Sequence, residues 1–260
     1  MDRIWDKRLE RYVAVQIIPP SILPAEAACK RFGGTLKALA QVRDQHVAMV
    51  YDLHYKGTNG YLISEYVEGV GLDEVLSKGP VAQPKLLDWG MQLAEGLEAV
   101  HKQNIIHRDL KPSNVRLTPS GQLKIIGFGL ATRLDPIADT VQTVTSGLLT
   151  PFQGTLPYMA PERWSGGIAD ARSDLWAAGT VLYEMATGRR AFLGSELAAL
   201  RDTILNEDPP TASTVNPGIS PSLDKVIFRA LVKDPDKRYQ TANELYMDLQ
   251  SVQSGSTLSS

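Results

Sequence analysis

The chain has 260 residues, of which 43% are apolar and 22% charged, with a formal net charge of -2. That length suits one large domain or two fused lobes around a sizeable core. The near-neutral balance excludes a basic nucleic-acid binder, because Lys and Arg occur only in scattered pairs such as Lys30-Arg31 and Arg189-Arg190, which read as solvated surface. One cysteine, Cys29, rules out an intrachain disulfide and fits a reducing compartment. No run approaches the ~18 apolar residues of a membrane span, and the first residues lack the apolar core of a signal peptide. A cytoplasmic protein with no membrane and no nucleic acid among its partners is expected.

Residues 12–18 form a β-rich run that Pro19-Pro20 stops. Residues 25–42 are helical in tone, with an interruption expected at Gly33-Gly34, since each Gly weakens a helix by roughly 1 kcal/mol. Residues 47–53 and 60–66 read as two strands joined by a Gly57-Thr58-Asn59-Gly60 turn. Beyond Gly71 the pattern becomes helical: Leu86, Gly90, Leu93, Leu97 and Val100 line one face of a long helix. A hairpin follows over 114–126, turning at Pro119-Ser120-Gly121. Residues 173–187 are apolar nearly all round, which predicts a helix buried at the centre of a lobe. Thr241 and Glu244 fit a capping box that opens a last helix bearing Leu245, Met247 and Leu249. The expected class is α+β, with a small β-rich lobe over 1–68, a larger helical lobe over 69–253 and a polar tail over 254–260.

The most informative segment is Ile106-His107-Arg108-Asp109-Leu110-Lys111-Pro112-Ser113-Asn114. Between a long helix and a hairpin it supplies a proton acceptor (Asp109), a cation for a phosphoryl group (Lys111) and an oxygen ligand for a divalent metal (Asn114). It resembles the catalytic loop of eukaryotic-type protein kinases, and Lys111 resembles the serine/threonine branch. Two further segments are similar to that family. Gly154-Thr155-Leu156-Pro157-Tyr158-Met159-Ala160-Pro161-Glu162 looks like the end of an activation loop, and Ser173-Asp174-Leu175-Trp176-Ala177-Ala178-Gly179 looks like the central helix of the large lobe. The resemblance implies a bilobal protein-kinase fold, with Asp109, Lys111, Asn114 and Thr155 as the catalytic set. It also implies that Asp174 anchors the loop backbone, that Glu162 pairs with Arg238, and that Leu39, Val50, His107 and Phe128 stack between the lobes. Ala14, Glu65 and Val67 would frame an adenine, with Ser64 behind them.

Three positions depart from the family pattern. Gln16 stands where a Lys holds the α- and β-phosphates, and Thr35 stands where its Glu partner belongs. Gly127, in Gly127-Phe128-Gly129, replaces the Asp that ligates magnesium, leaving Asn114 as the one metal ligand. No glycine-rich phosphate loop is present. Residues 5–9 look like the family's second strand, so the small lobe is expected to lack the first strand. Loss of one preorganised electrostatic group commonly costs about 10²- to 10³-fold in rate. The departures imply a pseudokinase with no cofactor, acting as a binding or allosteric module for a protein partner or an active kinase. The alternative is a weakly active serine/threonine kinase that uses ATP and magnesium with Asp109 as base. Thr132, Thr140, Thr143, Thr145, Ser146 and Thr150 could each accept a phosphate, with Arg108 as its partner.

Overall fold

Alternating side chains build the first layer. The computed structural model describes residues 1–18, 26–56, 59–133 and 154–255. Pro19-Pro20, the Cys29 side chain, Gly57-Thr58, the hydroxyls from Thr140 to Thr150 and the last five residues of the tail lie outside the described residues. Strands β1 (Asp2–Asp6), β2 (Arg11–Ile18), β3 (Val50–Lys56) and β4 (Asn59–Glu65) form an antiparallel sheet in the order β1-β2-β4-β3. The register sets Ala14 opposite Ser64 and Gln16 opposite Leu62. These four therefore share one face, on which Ala14, Leu62 and Ser64 are buried.

Helix α1 (Glu26–Leu39) runs unbroken through Gly33-Gly34, against the expected interruption. Thr35, Ala38, Leu39 and, just past the helix, Val42 are buried at helical spacing. Packing of that stripe outweighs the local cost of the two glycines. The following strand starts at Val50 rather than 47. Val47 instead bridges to Ile125 in parallel, and the Ala48 and Ile125 amides donate to Ile125 and His46 carbonyls. Backbone hydrogen bonds claimed by the other lobe cannot also serve the sheet.

Past the crossing come β5 (Val70–Gly71), α2 (Leu72–Leu76) and α3 (Gln83–His101). The expected face of α3 is buried at Leu86, Gly90, Leu93, Leu97 and Val100. The hairpin forms as β7 (Val115–Leu117) and β8 (Leu123–Ile125), with β5 added beside β7, while β6 (Ile105–Ile106) pairs with β9 (Thr132–Arg133). After α4 (Pro161–Trp164), helix α5 (Ala171–Thr187) is buried along nearly its whole length from Ser173 onward. Asp170 caps its start, and Gly188 ends it at φ +69, a left-handed turn that suits glycine. Helices α6 (Leu197–Asn206), α7 (Ala212–Val215), α8 (Pro221–Ala230) and α9 (Ala242–Ser254) complete the large lobe.

Thr241 Oγ1 accepts the Glu244 amide at 3.2 Å, so α9 opens where the cap was expected. Leu245 and Leu249 are buried, but Met247 is 45% exposed. Two residues from Leu245 along a helix, it points to the far side. Ser254 belongs to α9 rather than to the tail. The fold is α+β, a four-stranded small lobe on a helical large lobe. Among the described residues no helix is long and apolar enough to cross a membrane.

Candidate active site

The loop between β6 and β7 is fixed from beneath by Asp174. Its carboxylate accepts the amides of His107 (2.8 Å) and Arg108 (2.9 Å) and lies 2.9 Å from His101 Nε2. Asp174 is only 1% exposed. Burial alone would raise its carboxyl, but the His101 contact and the amides outweigh it and hold it below the usual carboxylate value. His107 Nε2 lies 2.9 Å from the Ile126 carbonyl, so this nitrogen carries the proton, and Nδ1 accepts the Asp109 amide at 3.2 Å.

Above this base the four expected catalytic residues meet. Asp109 Oδ1 accepts from Lys111 Nζ (3.0 Å) and from Thr155 Oγ1 (2.5 Å). Lys111 Nζ also donates to Thr155 Oγ1 at 2.8 Å. Asn114 Nδ2 donates to Asp109 Oδ2 (2.8 Å) and to the Asp109 carbonyl (2.7 Å). Both carboxylate oxygens are thus engaged, and one face of the group is held against a cation.

The three positions that depart from the family pattern carry no charge. Gly127 sits at φ +86, and a Cβ built there would lie 2.5 Å from Asn114 Oδ1. The Asn114 amide occupies the room that a side chain at 127 would take. Gln16 presses its amide on Gly129, where a Cβ would meet it at 2.7 Å, and Gln16 Oε1 is buried without a hydrogen bond. Thr35 does not replace a charge. Its Oγ1 accepts the Arg133 amide at 3.1 Å and ties α1 to β9. Among the described residues no group of three or more His, Cys, Asp or Glu side chains could hold a metal ion.

The crossing between lobes is firmly bound. The Glu65 carboxylate takes both Lys124 contacts (2.7 and 2.9 Å) and the Met49 amide (3.1 Å). Val67 packs with Ala48 and Ile126, and Ala14 is buried above the cleft. Leu39, Val50 and Phe128 join the main core, and His107 meets the Phe128 ring edge at 4.8 Å. Arg238, fully buried, reaches Glu162 with both terminal nitrogens (3.1 and 3.2 Å). Arg108 Nη1 lies 3.4 Å from Thr132 Oγ1. Sequence reasoning missed His101 and Lys124. Both contacts span large separations, and a lone His or Lys carries no local signal of its partner.

Two lobes around a loop of this construction define the class, and comparison with known proteins agrees. A family model described as protein kinase domain matches residues 4–248, and the chain belongs to that family. It is 35% identical over 255 residues to the serine/threonine-protein kinase PknB of Mycolicibacterium smegmatis, covering 96% of this chain and 40% of that protein. A probable serine/threonine-protein kinase of Streptomyces coelicolor is 34% identical over 255 residues, covering 96% of this chain and 37% of that protein. The chain therefore spans about two-fifths of the length of these curated relatives.

Proposed function

We propose that this kinase domain is a pseudokinase, a binding or allosteric module for a protein partner such as an active kinase. The observation that carries this reading is the left-handed Gly127 packed under the Asn114 amide. A magnesium-binding carboxylate is missing there, and the space for one is filled. Gln16 supplies no positive charge for the phosphates, and Thr35 spends its oxygen on the β9 backbone. The donors present do not fit a magnesium-bound triphosphate, because phosphoryl transfer rests on positioning and charge neutralisation. Thermal unfolding with and without ATP and magnesium tests the reading. No saturable shift is expected in the parent, and a magnesium-dependent rise in Tm overturns it.

A second reading keeps the domain active as a weak serine/threonine kinase. The hydrogen-bonded set Asp109, Lys111 and Thr155 favours it, since the set leaves a carboxylate positioned to receive a hydroxyl proton. On this reading ATP and magnesium bind with Asn114 as the remaining protein ligand. Label transfer from ATP to a protein substrate, abolished in Asp109→Asn, would select it.

A further inference from the structure

The small lobe carries a cavity of about 380 Å³, and none of Asp109, Lys111, Asn114 or Thr155 lines it. Five segments close it: the β1–β2 turn, β2, the end of α1 with the residues after it, β3 and β4. Apolar side chains lie at its base, among them Val13, Leu39, Val50 and Ile63. Charged groups also line it, and their partners decide its character.

The acids lining it are already used. Asp6 Oδ1 accepts the amides of Arg8 and Leu9 at 2.9 and 3.2 Å, which closes the turn. Asp52 accepts the Leu53 amide and lies 3.2 Å from His54 Nε2. The three arginines outnumber these two acids. Arg8 and Arg11 make no side-chain hydrogen bond or ion pair among the described residues, and Arg43 reaches only the Met49 sulfur at 3.5 Å. Arg11 lies flat over the Tyr51 ring at 4.0 Å, and its Nε is buried without an acceptor. A buried donor left unpaired is costly and calls for a partner.

We infer that this cavity is an anion site for a phosphate monoester carried on an apolar group. Three guanidinium groups against two carboxylates leave the lining net positive, and a phosphate monoester brings about -1.5 to -2 at neutral pH. Their fork geometry matches phosphate oxygens. The apolar base accommodates the group that bears the ester. A phosphorylated side chain of a protein segment and a small organic phosphate share this chemistry. The inference is independent of whether the cleft binds nucleotide.

Calorimetric titration of the whole chain with phenyl phosphate, inorganic phosphate and phenol tests it. Saturable binding is expected for phenyl phosphate, weaker binding for inorganic phosphate and none for phenol. The Kd for phenyl phosphate should rise at least tenfold in Arg11→Gln and in Arg43→Gln. Arg43 is exposed, so its variant keeps the test alive if Arg11→Gln does not fold. Unchanged affinity in both variants would place the ligand elsewhere and overturn the inference. So would equal binding of phenol, or a concentration-dependent dimer with no response to phenyl phosphate. If phenyl phosphate binds as expected, a serine-phosphorylated peptide with an apolar neighbour then separates the two sources: tighter binding of the peptide assigns a protein segment, and weaker binding a small organic phosphate.

Discussion

Arg108 holds a non-glycine backbone at φ +67, a conformation that costs about 1–3 kcal/mol and persists only when its surroundings over-determine it. Asp174 supplies that determination through two amides of the loop. Replacing Asp174 by Asn should lower stability by about 3 kcal/mol or more at pH 7, because buried donors lose a charged acceptor. The sign with pH follows from its depressed carboxyl. The contribution is complete above the ordinary value of 3.8 and is lost as pH falls through the lower folded value. The gap between parent and Asp174→Asn, read from urea midpoints, should be constant from pH 7 to 5 and shrink only below about 4. A gap already closing at pH 6 would contradict this account. The same local reasoning separates Asp174 from Asp109. One carboxylate organises backbone, while the other is engaged by Lys111, Thr155 and Asn114 side chains.

Among the elements, α1 is the one whose sequence argues against itself. Gly33 and Gly34 lie inside it, and a Cβ at either position meets nothing within 4 Å. Neither glycine serves packing or a turn. Gly33→Ala and Gly34→Ala should each stabilise the chain by about 0.5–1 kcal/mol. Denaturant midpoints check this, and a drop in stability would show that the two glycines serve a conformation of α1 other than the one described. Helix α5 is the opposite case. Its buried circumference was legible because a helix apolar all round has nowhere to sit except the middle of a lobe. Helix α9 lies between the two: its cap and the Leu245 and Leu249 face were readable, whereas Met247 on the opposite side was not part of that face.

At the level of the whole molecule, the lobes are joined by few but specific links. Val47 bridges Ile125, Thr35 accepts from Arg133, and Lys124 clasps Glu65 at the crossing. The Lys124–Glu65 contact is partly sheltered, with side-chain exposures of 16% and 22%, so it is worth more than a surface pair. Lys124→Ala should cost about 1–2 kcal/mol and lower Tm by roughly 2–8 °C for a chain of this size. Calorimetric scans measure it, and an unchanged Tm would mean that the crossing is held by Val67 packing alone.

By itself the sequence determined what is local: the strand alternation, the helical stripes, the cap at Thr241 and the run from His107 to Asn114 with its kinase resemblance. It also determined the neutral residues at 16, 35 and 127, since identity at a motif position needs no coordinates. The tertiary structure alone decided which groups these residues meet. The Asn114 amide fills the space at Gly127, Thr35 reaches Arg133 across 98 positions, His101 and Asp174 meet across 73, and the arginine-lined cavity draws on five segments. Periodicity and motif spacing encode interactions a few residues apart. Contacts between distant segments depend on how whole faces pack, and no short pattern records that.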